Sequence, residues 1–189
     1  MSSTSCADWP GSSFGPRCPR RRFLCIASCG FDSEANRRAN ETRLVRGNLV
    51  YAYAALRTLA TWRPASFTVT VDGEPHRYEG FSVAVANGAA YGGGMMMAPD
   101  AELDDGLFDV VMSRTVGKLR FLRNLPKVFK GEHVDEPEVS VVRGSEVEIT
   151  ADRDFEIYAD GEPLTELPAA LRLLPRALRV IAPAAAAAP

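Results

Sequence analysis

Short runs of two-residue alternation recur along this chain, and helical spacing appears between them in three places. Residues 81–86 alternate large and small apolar side chains, as do 107–112, so both segments read as strands. Upstream, 23–30 is a strand pattern, after which Asp32 or Ser33 can cap a helix with Glu34 in its first turn and Ala35, Ala39 and Thr42 along one face. Gly47 interrupts, and a second helix begins near Asn48, with Leu49, Ala52, Tyr53, Leu56 and Leu59 at three-and-four spacing until Pro64 stops it. Residues 65–71 and 75–80 flank Asp72, Gly73 and Glu74 as a hairpin. Residues 116–130 carry a helical pattern bent or cut at Pro126, and strands are predicted at 138–142, 146–150, 155–158 and 177–181. Many short strands with few helices predict a mainly β fold, a sandwich with α insertions.

The segment joining the 81–86 and 107–112 strands is unusually long for a compact domain, where such loops are commonly functional or disordered. Gly92, Gly93 and Gly94 permit backbone angles a side chain forbids, Pro99 stiffens the return, and Asp104, Asp105 and Gly106 form an acidic tight turn.

Composition narrows the function classes. A chain of 20.5 kDa fits one domain, and 46% hydrophobic with 24% charged residues is the balance of a soluble globular protein. A formal charge of -2 argues against a general nucleic-acid binder. No apolar run approaches the ~20 residues that cross a bilayer, so membrane contact is expected to be peripheral. Cys6, Cys18, Cys25 and Cys29 lie within the first thirty residues, with neither His76 nor His133 close enough for zinc-type spacing; free thiols in a reducing cytoplasm are expected. Arg20, Arg21, Arg22, Phe23 and Leu24 resemble a twin-arginine export signal, and Ile26 to Cys29 resemble a lipoprotein box. However, the apolar run 23–29 stands at the short limit of about 7 to 15 residues for such a signal. Residues 1–21 and 184–189 lack core periodicity and are expected to be disordered, leaving 22–183 as the folded domain.

Three motifs carry a family resemblance. Residues 22–32, RFLCIASCGFD, the run Ala-Asn-Gly through Gly-Gly-Gly-Met, Pro-Asp-Ala and Asp-Asp-Gly-Leu-Phe-Asp-Val over 86–110, and YADGEP at 158–163 together resemble the C-terminal domain of the bacterial diacylglycerol kinase and lipid kinase family, relatives of the sphingosine and ceramide kinases. The resemblance implies a two-layer antiparallel β-sandwich and ATP-dependent phosphoryl transfer to a lipid hydroxyl. It also implies a separate nucleotide domain with a Gly-Gly-Asp-Gly-Thr loop, and no such run occurs in these 189 residues. ATP is therefore expected to bind only with a domain supplied elsewhere, for example on a partner chain, and the chain alone is expected to be inactive.

Carried over from the family, Glu162 is the proton-accepting carboxylate. From the residues alone, Asp160 and Gly161 form a hairpin turn like Asp72 and Gly73. The resemblance also implies a magnesium ion held by the Asp105 side chain and the carbonyls of Glu102 and Leu107; a simply solvated acidic turn is the alternative. Lys118, Arg120, Arg123, Lys127 and Lys130 interleave with Leu119, Leu122, Leu125 and Phe129, and such a segment can lie on an anionic bilayer, gaining about 1 kcal/mol per basic residue. The expected location is the cytoplasm, peripherally at the inner membrane surface. A noncatalytic lipid-binding or interaction module is the rival function, and a lipoprotein a more distant third.

Overall fold

The computed structural model describes residues 2–4, 21–41, 49–91 and 94–179. Among them the strands are β1 (Ser2–Thr4), β2 (Arg21–Phe23), β3 (Ile26–Gly30), β4 (Ala65–Val71), β5 (Glu74–Ala86), β6 (Phe108–Arg114), β7 (Val139–Gly144), β8 (Glu146–Ala151), β9 (Glu156–Ala159), β10 (Glu162–Glu166) and β11 (Ala169–Arg172). The helices are α1 (Phe31–Glu41), α2 (Leu49–Thr61) and α3 (Lys118–Val128), with a 3-10 turn at Glu132–Asp135.

The long strand β5 makes this a two-layer antiparallel sandwich. Its first half pairs with β4, while its second half pairs with β3 on one edge and β6 on the other. One layer therefore runs β7-β6-β5-β3-β9-β10, and the other β5-β4-β8-β11-β1-β2. The strand changes layer where its register against β6 shifts, between Gly80 and Ser82. A Cβ on Gly80 would stand 2.2 Å from the Ser113 carbonyl oxygen, and the Tyr78 hydroxyl donates to the Ser82 carbonyl at 3.0 Å across the bend.

The alternation of 81–86 has a packing cause. Val83 and Val85 enter the core between the layers with Phe67, Phe108, Val110, Ile149 and Leu171. Ala84 and Ala86 face outward, where Ile26, Val111 and Ala98 cover them, so the long loop lies close on that face because the side chains beneath it are small. A third cluster joins the helices to the sheet: Phe31 meets the Trp62 ring edge-on at 5.6 Å and the Phe121 ring at 4.8 Å, over Phe81 and Leu59.

Several expectations change. Helix α1 begins at Phe31, and Ser33 bonds back to both the N–H and the carbonyl of Gly30 at 3.1 Å. Pro126 falls in the last turn of α3, and the chain closes with Phe129 N–H donating to the Pro126 carbonyl. No strand forms at 177–179, and 180–181 lie outside the described residues. The final strand of the sheet is instead β11, whose short Ala-Ala-Leu run carries little intrinsic strand signal and is held by pairing to β8. Where an unpacked tract is expected, β1 pairs with β2 and β11; residues 5–20 lie outside the described residues, as do Cys6, Cys18, Thr42, Gly47, Asn48, Gly92, Gly93 and 181–189.

Candidate functional site

The YADGEP turn joins β9 to β10 through Asp160 and Gly161, at φ 53° and 92°, the pair of positive φ values that suits a tight hairpin. The Asp160 carboxylate accepts from the backbone N–H groups of Leu24 at 2.6 Å, Cys25 at 2.9 Å and Ile26 at 3.2 Å. From the other side, Asn87 donates its side-chain amide to the Leu24 carbonyl at 2.9 Å and its N–H to the Cys25 carbonyl at 2.8 Å. The link between β2 and β3 is thus clasped between the turn and the end of β5. Glu162, the first residue of β10, is exposed, and its carboxylate has no partner among the described residues.

The first Asp-Gly-Glu turn uses the same device. Asp72 and Gly73 have φ 46° and 92°, and the Asp72 carboxylate accepts from Ser145 N–H, Ser145 hydroxyl and Glu146 N–H at 3.1, 3.2 and 2.9 Å. Local geometry does not separate Glu162 from Glu74. Their surroundings do: the second turn adjoins Asn87 and the motif loop, the first adjoins the β7–β8 turn.

The described residues of the motif loop are held by hydrogen bonds to backbone carbonyls. Cys25 Sγ donates to the Ala90 carbonyl at 3.3 Å, Ala98 N–H to the Ala89 carbonyl at 3.1 Å, and Met96 N–H to the Val128 carbonyl of α3 at 2.9 Å. Gly88 leaves room where a Cβ would press to 3.0 Å on Cys25 Sγ and 3.3 Å on Leu103, so Leu103 folds toward the clasp while remaining 69% exposed. In the sequence Asp32 reads only as a cap. Burial pushes its carboxyl up to about 6, against hydrogen bonds from Ser82 and Tyr91 that pull the other way, and the Tyr91 hydroxyl lies 3.5 Å away. No sequence signal marks that pair, because the partners come from a helix start and a distant loop.

The Asp105 turn also departs from simple expectation. One Asp105 oxygen accepts from Leu107 N–H at 2.9 Å, and the other is paired with the Arg143 guanidinium. Arg143 Nε also stands 3.6 Å from Asp109, directly across from it in the β6–β7 register. Among the described residues, no group of three His, Cys, Asp or Glu side chains is placed to share a metal. With the Arg143 guanidinium on one Asp105 oxygen, the residues as arranged do not fit a second, like-charged ion there.

Helix α3 buries none of its residues completely, and Leu119 is 86% exposed, with Leu122 and Phe129 also exposed. Its basic stripe is largely spent within the fold. Arg120 pairs with Glu136 and Glu138, Lys127 with Glu136, Lys130 more distantly with Glu132 at 3.9 Å, and Lys118 donates to the Ala60 carbonyl at 2.8 Å. Of the five, only Arg123 has no partner among the described residues. Beneath α3 lies a cavity of about 70 Å³ lined by Phe121, Leu125, Val128, His133 and Val139. Burial there pushes the His133 pKa down.

Comparison with known proteins gives the clasp and loop a context. Residues 25–182 match the family described as the YegS C-terminal NAD kinase beta sandwich-like domain. A diacylglycerol kinase of Mycobacterium tuberculosis (strain CDC 1551 / Oshkosh) is 36% identical over 162 residues, 85% of this chain and 52% of that protein. A Bacillus subtilis (strain 168) diacylglycerol kinase is 24% identical over 144 residues, 76% of this chain and 48% of its own length. The crystal structure of a diacylglycerol kinase from Bacillus anthracis strain Sterne shares the fold, with a TM-score of 0.52 at 18% identity over 81% of this chain and 47% of that one. The chain spans about half the length of the curated relatives it matches.

Proposed function

Since this chain belongs to the family of YegS C-terminal NAD kinase beta sandwich-like domains, that of the diacylglycerol and lipid kinases, we propose that it is the lipid-facing half of an ATP-dependent lipid kinase in which Glu162 accepts the proton of the lipid hydroxyl. The observation that carries this is Glu162 itself, an exposed carboxylate without a partner among the described residues, on a hairpin pinned by three backbone N–H bonds to Asp160. A base must reach the proton it takes while its own position is fixed, and this turn supplies both conditions. As the hydroxyl oxygen forms its bond to the γ-phosphorus, its proton passes to a Glu162 oxygen, and the bond from that phosphorus to the leaving nucleoside diphosphate breaks. ATP supplies the phosphoryl group and is held on a nucleotide domain that these 189 residues do not provide, carried in the same polypeptide or on a partner chain. Alone, the chain is inactive.

With that domain present, Glu162→Gln is expected to lower turnover about a hundredfold to ten-thousandfold while leaving ATP affinity unchanged. Glu74→Gln, in the matching turn at the other place, should change little. Equal losses from both, or an active Glu162→Gln protein, would show that the second turn is structural only.

A second reading is a noncatalytic lipid-binding module, favoured by the exposed Leu119 and Leu122 on α3 and Phe129 just after it. Among the described residues no helix is long and apolar enough to cross a membrane. Contact with the inner membrane surface would use this apolar edge with Arg123, Lys118 and Lys130, because Arg120 and Lys127 are held by carboxylates. Vesicle binding that Leu119→Asp abolishes, with no kinase activity when the nucleotide domain is supplied, would favour the module over the kinase.

A further inference from the structure

We infer that Arg143 holds the place of a cation at the acidic loop, so that the Asp105 turn folds around a guanidinium and admits magnesium only when that side chain is displaced. The inference is independent of the catalytic role of Glu162. Asp105 and Asp109 both face the Arg143 side chain at this loop. Two carboxylates on one side call for a counter-charge. Backbone register supplies it: Arg143 faces Asp109 across β6 and β7, so its position is set by the sheet and not by a chance surface rotamer.

From there the planar guanidinium reaches two carboxylates at once, through Nη2 to Asp105 and through Nε to Asp109. The Asp109 side chain is only 5% exposed, and its second oxygen has no partner among the described residues, so among them its counter-charge is this one arginine. The other Asp105 oxygen accepts from Leu107 N–H. Magnesium takes oxygen ligands at about 2.0–2.1 Å in near-octahedral geometry, and the guanidinium stands on that oxygen with a charge of the same sign. The two cations compete for it. A lysine at this position could neutralise one carboxylate but could not fork between two.

The full chain, wild type and Arg143→Gln, should be titrated with magnesium by calorimetry, with thermal midpoints followed in parallel. The expected result is no saturable binding and no thermal gain for wild type at low millimolar magnesium, and for Arg143→Gln a lower midpoint that magnesium restores, with affinity at least about tenfold tighter. Magnesium binding by wild type as tight as by the variant would overturn the inference. So would absence of binding in both, since the loop would then be no cation site. If Arg143→Gln does not fold, Arg143→Lys and wild type are compared with manganese by paramagnetic broadening: selective broadening of the Gly106 and Leu107 amides in the variant alone supports the inference, and broadening in both or in neither refutes it.

Discussion

At the scale of single residues, one carboxylate type performs four jobs. Asp160 and Asp72 are structural, each gathering neighbouring N–H groups from a left-handed turn position. Asp105 and Asp109 share an arginine, and Glu162 stays free. Asp32 is the costly one. Burial raises its carboxyl from 3.8 to about 6, so between those values the folded protein holds a proton that the unfolded chain has released. Stability from this group is therefore greatest below about pH 4, declines as pH rises toward 6, and stays lowered at neutral pH. Asp32→Asn should remove the decline, leaving the variant more stable than wild type by about 1–3 kcal/mol near pH 7 and similar to it near pH 4. Thermal midpoints across that range check it, and a variant less stable at pH 7 would show that the ionised carboxylate is needed by Ser82 and Tyr91.

At the scale of elements, β5 and α3 are opposites. The thirteen residues of β5 serve both layers and bend at Gly80, where the only clearance is that of a missing Cβ. Gly80→Ala would push a methyl into the Ser113 carbonyl, a backbone atom that cannot swing aside. A loss of about 2–4 kcal/mol in urea unfolding is expected, with the slope against denaturant unchanged. A variant of wild-type stability would mean that β5 can pass between the layers without this close approach. By contrast α3 buries none of its residues completely, and Phe121 attaches it, stacked on Phe81 at 4.3 Å and edge-on to Phe31 at 4.8 Å, with ion pairs to Glu136 and Glu138 beside it. Pairs open to water are worth little each, so the aromatic contact is the main attachment.

At the scale of the whole molecule, the sandwich presents a clasp of Asp160, Asn87 and the link between β2 and β3, with Leu24 and Leu103 exposed beside it. The run Gly-Gly-Asp-Gly-Thr does not occur in these 189 residues. Calorimetry with the 189-residue chain alone should therefore show no saturable ATP binding. Saturable binding abolished by substitution at Gly94 would mean that the Gly-rich loop cradles phosphate after all.

Much of this was legible in the sequence, and the reason is the range over which each signal acts. Alternation at 81–86, the Asp-Gly turns and the strand-rich pattern are set by neighbours along the chain, so the β-sandwich class and the turn holding Glu162 could be read directly. The short strand β11, the layer change at Gly80, the carboxylate bonds of Asp160 and the neutralised face of α3 were not legible. Each depends on groups brought together from far along the chain: Asp160 meets Leu24, Arg120 meets Glu136, and Arg143 meets Asp105. A charge pattern in sequence counts the basic residues of a helix but not the acids folded against it. Periodicity and turn chemistry determined the elements; register and packing alone decided which charges remain free to act.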